Sequence, residues 1–380
     1  MINSSTEIFK EEYIENSPTG VEVEEDSSAE NEHDPWNPEE IRIHTRNFSL
    51  RNILDMVNES ELDLTPDFQR LFTWKEKQQC GLIESLLLGI PLPSFYFDQD
   101  YEGYLQVVDG VQRITTIHRF TMDEFCLSNL TYLKNLEGRY FSELELPLRR
   151  RLYQSQFVVH VIDPQTPYKV KFDIFRRINT GGEPLNAQEI RHCMSRPQSR
   201  NFLQYLANSE EFLEATAHSM ANHVRMADKE VVLRIIAFQL LGPNDYMEAG
   251  SLDVFLGRAT QVLDSTSEQH LHELEVSFRN GMQNAYLIFG ENSFRKWPLY
   301  EMGRRAPINR ALCEVWGNVL SRYEAGILVE HKEEIVMKAR RMMTDDYSFI
   351  GSISGSTGAI YNVKTRFAKI YELMKGIVHD

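Results

Sequence analysis

An acid, a glycine, an amide, an arginine and two hydroxyls follow directly on an apolar run in Val107-Val108-Asp109-Gly110-Val111-Gln112-Arg113-Ile114-Thr115-Thr116. This is how a strand ends and a helix begins when the junction must hold an anion. The first turn of a helix presents unpaired N–H groups and a partial positive charge. The Arg113 guanidinium is a planar fork matched to phosphate. A carboxylate such as Asp109 can bind a metal ion or orient a water. The plainer alternative is an ordinary strand–turn–helix with a capping aspartate.

Two further segments carry the same chemistry. Gln69-Arg70 precedes a helical pattern, and Arg176-Arg177 precedes Asn179-Thr180-Gly181-Gly182. Consecutive glycines let backbone N–H groups turn toward an anion and form a nest. Taken singly, Arg70 reads as a surface ion pair and Gly181-Gly182 as a helix C-cap. Other chemistries find no support. No GxxxxGK[ST], HExxH or GxSxG string occurs, and no His-Asn-His nuclease motif assembles in the second half. His270 and His272 stand two apart in a Glu-rich helix and point to different faces, so they read as solvent-exposed. Gly351–Gly358 is rich in glycine and serine, but the nearest lysine is Lys364, so it reads as a flexible loop.

The elements that must position these residues can be read from periodicity. Ser49 is placed to cap a short helix with Leu50, Ile53, Leu54 and Val57 on its apolar face. Leu62-Asp63-Leu64 is strand-like. Thr73 and Glu76 have capping-box spacing ahead of a helix that carries Leu82, Ile83, Leu86 and Leu87 and stops at Gly89 and Pro91. Strands over 94–97 and 104–108 are joined as a hairpin through 98–103. The second strand feeds a helix to about Phe125. Residues 126–155 read as a helical insertion, 157–162 as a strand, and a helix starts near Tyr168. Asn186 and Glu189 have capping-box spacing before another helix. Beyond that only helices are expected, near 199–216, 228–241, 267–289, 304–323, 327–343 and 360–376. Within them Arg225–Leu240 reads as an amphipathic core helix with a charged face bearing Asp228, Glu230 and Arg234.

Length and composition frame the rest. The 380 residues suggest two or three domains, and 42% hydrophobic content is ample for packed cores. No apolar run approaches the roughly 20 residues that cross a bilayer, and the acidic start is no signal peptide, so a cytoplasmic protein without a membrane partner is expected. Cys80, Cys126, Cys193 and Cys313 form no CxxC pair and read as reduced and mostly buried. The net charge of −16 is uneven. Residues 1–40 hold 13 acids and one base, a charge of −12, while the rest hold 43 acids and 39 bases, or −4. The first segment therefore reads as a disordered acidic tail, either solubilising or competing with nucleic acid for a basic groove.

The three segments together resemble the ParB/sulfiredoxin-like N-terminal domain of GmrSD-type restriction proteins. Pro66, Gln69, Arg70 and Trp74 match its PxxQR segment and tryptophan. Asp109, Gly110, Gln112, Arg113, Thr115 and Thr116 match its DGQQR signature. Phe175, Arg177, Ile178, Asn179, Gly181, Leu185, Glu189, Ile190 and Arg191 match its third segment. The resemblance covers about Phe48 to Cys193. It implies an α+β protein: an acidic tail over 1–40, a small mixed α/β domain over 41–195, and an all-α domain over 196–380. It also implies binding and hydrolysis of a nucleoside triphosphate with Mg2+, coupled to DNA in anti-phage restriction. Asp109, Gln112 and Arg113 would be catalytic, with Asp109 at the metal. Gln69, Arg70, Gly110, Thr115, Thr116, Arg177, Asn179, Gly181 and Gly182 would hold phosphate. A separate nuclease partner is expected, since the His-Asn-His domain that commonly accompanies this one is not found. Two other readings stand beside this one: a non-catalytic regulatory subunit, and a metal-dependent nuclease using Asp109 with Asp67. One position departs from the signature. Its first glutamine is Val111 here, a lost contact if that side chain touched the nucleotide and a harmless change if it packs inward.

Overall fold

The computed structural model describes residues 9–14, 17–24, 38–64, 74–178, 185–223, 225–300 and 302–378. The chain forms two compact units. One is Asp34–Met194. The other combines Met1–His33 with Ser195–Asp380, so the first unit is inserted into the second in sequence.

The chain begins with an antiparallel hairpin, β1 (Glu11–Ile14) and β2 (Ser17–Glu22). A wholly disordered acidic tail is therefore not what forms. Val21 is completely buried, and β2 exchanges backbone hydrogen bonds with Ile308. The physical reason is that its acids have cationic partners far along the chain. Glu11 meets Arg304 at 3.0 Å, Glu12 meets Arg310 at 2.8 Å, and Glu22 meets Lys296 at 2.5 Å. Glu24 accepts from Arg234 at 3.0 Å and from Thr357 at 2.7 Å. A segment too charged to fold alone is neutralised on docking.

The inserted unit holds a five-stranded mixed sheet in the order β3 (Ile43–Ser49), β7 (Gln156–Ile162), β5 (Phe95–Gln99), β6 (Leu105–Asp109), β4 (Leu62–Asp63). β3–β7 and β5–β6 are antiparallel, while β5–β7 and β4–β6 are parallel. Strand alternation separates two cores. Phe95, Phe97, Leu105, Val107, Val159 and Val161 face helices α1 (Leu50–Asn58), α2 (Glu76–Leu88), α3 (Val111–Thr121) and α4 (Leu146–Gln154). Val108 and Ile162, with Tyr96 beside them, pack on the other face under α5 (Tyr168–Ile178) and α6 (Ala187–Met194). On that second face Lys171 meets the carboxylate of Asp98 at 2.6 Å. The hairpin, the 157–162 strand and the Ser49 cap form as the sequence predicts, with the Asn52 amide donating to Ser49 Oγ at 3.2 Å. The Asn186–Glu189 box closes in both directions, at 2.7 and 2.8 Å. Thr73 lies outside the described residues; α2 starts at Glu76 behind Lys75, whose N–H donates to the Gln78 side chain at 3.0 Å.

The second unit is helical apart from the hairpin. Its helices among the described residues are α7 (Pro197–Ala207), α8 (Glu210–Ala215), α9 (Ala227–Leu240), α10 (Gly242–Ala249), α11 (Leu252–Leu263), α12 (Glu268–Phe289), α13 (Arg310–Leu320), α14 (Ala325–Glu330), α15 (Lys332–Asp345), α16 (Tyr347–Ser352) and α17 (Ile360–Lys375). α12 and α13 cross closely enough that a Cβ on Gly281 would lie 2.3 Å from the Gly317 carbonyl oxygen. The charged face of α9 is not solvated: Asp228, Lys229 and Arg234 are buried, and Arg234 also holds Glu230 at 2.7 Å and Glu314 at 2.9 Å. The 351–358 stretch is not a free loop either. Gly351 and Ser352 end α16, Arg366 donates to the Thr357 carbonyl at 2.6 Å, and Tyr246 donates to the Gly358 carbonyl at 2.5 Å.

Candidate functional site

The junction singled out by sequence is where β6 stops and α3 starts. Asp109 is the last residue of β6, and Gly110 is the N-cap of α3 with φ +106°. That backbone conformation is open to glycine and strained for other residues. Space imposes the same choice: a Cβ at Gly110 would lie 2.3 Å from Cδ1 of Phe95. No side chain caps α3, so its first N–H groups face outward without an intrahelical acceptor.

Arg113 closes back over this turn. Its Nη2 donates to Asp109 Oδ2 at 2.7 Å and to the Ser94 carbonyl at 3.3 Å, and its Nη1 donates to the Pro93 carbonyl at 2.5 Å. The guanidinium carbon lies 4.2 Å from the centroid of the Phe95 ring, a cation–π contact. Burial pulls the guanidinium below its usual pKa, and the Asp109 carboxylate works against that shift. The side chain of Arg113 is 12% exposed, while that of Asp109 is 39% exposed. In this structure Arg113 is held by the protein's own carbonyls and by Asp109. The acid it orients remains open to solvent.

The neighbouring residues divide sharply. Gln112 Oε1 is buried and has no hydrogen-bond partner among the described residues, which leaves an acceptor in need of a donor. Thr115 is half-buried. Thr116 is fully buried and its hydroxyl donates to the Gln112 carbonyl at 2.7 Å. That bond keeps the hydroxyl within the helix in this structure. Val111 packs against the α1–α4 core, so the departure from the DGQQR signature is a core substitution. Trp74 packs there as well.

Arg177 is exposed in the last turn of α5. Ile178, next to it, packs with Val108 on the α5–α6 face of the sheet. Phe175, Leu185 and Ile190 pack there too, and Glu189 is spent in the α6 cap. Arg191 is buried and donates to Gln188 at 2.9 Å. Gln69, Arg70, Asp67, Asn179, Gly181 and Gly182 lie outside the described residues. Sequence reasoning did not anticipate Phe95 or the carbonyls of Pro93 and Ser94. An aromatic residue at a strand start was the only signal available, since backbone acceptors leave none.

A metal would find few protein ligands here. Among the described residues no three His, Cys, Asp or Glu side chains gather to hold an ion. Mg2+ suits such a setting, because it commonly takes one or two carboxylates and completes its shell with substrate phosphates and water.

Residues 50–194 match the family model described as the GmrSD restriction endonuclease, N-terminal domain. That segment is similar to the N-terminal domain of GmrSD-type restriction proteins. No curated protein matches the chain. No helix among the described residues is long and apolar enough to cross a membrane.

Proposed function

We propose that the protein binds a nucleoside triphosphate with Mg2+ at the β6–α3 junction and hydrolyses it as part of a DNA-processing, anti-phage restriction system. The observation that carries the reading is the Asp109–Arg113 clasp at an uncapped helix N-terminus, inside a segment matching a restriction-endonuclease domain. The outward N–H groups of α3 suit phosphate oxygens. The exposed carboxylate of Asp109 would be the protein ligand for Mg2+, which when bound would neutralise charge on the triphosphate. Gln112 Oε1 would accept a hydrogen bond from the attacking water and aim its oxygen at the terminal phosphorus, the water's proton passing to a phosphate oxygen. The bond to the bridging oxygen breaks, giving nucleoside diphosphate and inorganic phosphate. Arg113 acts as a positioning residue that fixes Asp109. Arg177, Thr115 and Gly110 line the phosphate side, with Gln69, Arg70, Asn179, Gly181 and Gly182 completing it. Such chemistry rests on positioning and charge more than on covalent steps.

The commitment of Arg113 inside the protein favours a second reading, a nucleotide switch that regulates a partner nuclease. Steady-state phosphate release, with and without DNA, decides between them. Hydrolysis lost in a folded Asp109→Asn variant supports the enzyme. Tight nucleotide binding without phosphate release selects the switch. Release unchanged in Asp109→Asn overturns the proposed site.

A further inference from the structure

A second candidate site lies in the same unit, where the C-terminal end of α2 meets α4. There a cleft of about 610 Å3 is lined at its base by Leu92 and Phe157 and at its rim by Ile90, Arg150, Arg151 and Gln154. The volume is that of a small-ligand pocket. Phe157 is buried, while Ile90 is 49% exposed and Arg150 and Arg151 face solvent.

Acids lie close by in sequence, with Glu143 and Glu145 just before α4. Yet the α4 triplet Arg149-Arg150-Arg151 contains no arginine that ion-pairs with a described residue. Arg151 only donates to the Leu87 carbonyl, at 2.9 Å. Unneutralised guanidinium groups above an apolar floor, with the Gln154 amide alongside, match a group that is anionic at one end and flat and uncharged at the other.

We propose that this cleft seats one nucleotide of a DNA strand, its phosphate on Arg150 and Arg151 and its base over Ile90, Leu92 and Phe157. The inference rests on the reading that the protein works on DNA, and it assigns the surface that touches it. The cleft is also joined to the β6–α3 junction. The lip residues Gly89–Leu92 run directly into Pro93 and Ser94, whose carbonyls hold Arg113. The Phe157 ring lies 5.0 Å from that of Phe95, and Phe95 lies under Arg113. A strand seated in the cleft therefore presses on the residues that position Asp109.

The test is fluorescence anisotropy of a labelled mixed-sequence single-stranded DNA of about 20 nucleotides, on the full chain without nucleoside triphosphate. Arg150→Glu and Ile90→Asp alter exposed side chains. Each is expected to weaken binding by about tenfold or more, and Arg150→Glu is expected to lower the slope of log affinity against log salt by about 1. Lys77→Glu, a charge reversal at an exposed α2 position of the same unit, controls for diffuse electrostatics and is expected to change affinity less than about twofold. Equal weakening by Lys77→Glu, no weakening by Arg150→Glu, or no DNA binding by the wild type overturns the cleft. So does a poly-glutamate peptide that competes as well as DNA, which marks an acidic protein partner instead. Triphosphate binding by Arg150→Glu is measured in parallel. If the DNA pattern holds while no triphosphate binds even to the wild type, the junction reading fails and the cleft stands.

Discussion

The docking of the N-terminal hairpin gives the sharpest stability prediction. Glu24 is deeply placed, and its carboxyl sits among Arg234, Arg310 and the Thr357 hydroxyl. Burial opposes its charge, but the two arginines overcome that cost and hold it at about 2, against 4.5 for a free glutamate. Each pKa unit is worth about 1.4 kcal/mol, so the ionised form contributes on the order of 3 kcal/mol to the folded state at neutral pH. Glu24→Gln keeps the shape and removes the charge. It also leaves Arg234, 3% exposed, with one fewer counter-charge beside Glu230 and Glu314. We expect a loss of about 2–3 kcal/mol at pH 7. The sign with pH follows from the lowered value: the contribution is fully present above about 4.5 and disappears as pH falls toward 2. Urea unfolding followed through Trp297 and Trp316 fluorescence measures the loss. Hydrogen exchange at the Glu22 and Ile308 amides, which bond across the docked strand, localises it. Unchanged exchange and an unchanged midpoint in Glu24→Gln would refute an electrostatic clasp and leave Val21 burial as the anchor.

Three further outcomes follow from the inserted unit. Gly110→Ala forces a Cβ against Phe95 at positive φ and should destabilise the protein by roughly 2–4 kcal/mol in thermal unfolding. Thr116→Val removes only a hydroxyl bonded within its own helix, so any phosphate release should persist within about twofold; a loss of tenfold or more would return Thr116 to the site. Burial pushes the Asp98 carboxyl up to about 6 despite Lys171, so its contribution declines as pH rises from 3.8 through 6, and Asp98→Asn should flatten that part of the stability–pH profile.

Local rules carried much of this fold, and long-range pairing escaped them. The Ser49 cap, the Asn186–Glu189 box and the 94–108 hairpin are written within a few residues each. The β6–α3 junction was legible for the same reason, as an apolar run broken by Asp109-Gly110. The hairpin was not, because the composition of residues 1–40 is silent about Arg234, 210 positions from Glu24. The buried network of α9 was out of reach for the same reason: Arg234 pairs with Glu314, 80 positions away. Thr116 could have been read better, since it stands four residues before Phe120 on the buried face of α3. α11 went unseen because Gly257 interrupts its apolar pattern, although Ser251 caps it. At the site, the acid and arginine were readable, but their mutual clasp through Pro93, Ser94 and Phe95 was not.

The central claim is that a triphosphate sits on the N-terminus of α3. Hydrogen exchange of the Val111, Gln112 and Arg113 amides, with and without a non-hydrolysable triphosphate and Mg2+, tests it most directly. The account predicts slowed exchange at these amides in the wild type and none of that protection in Asp109→Asn. Exchange at these amides that is unchanged by saturating triphosphate would contradict it.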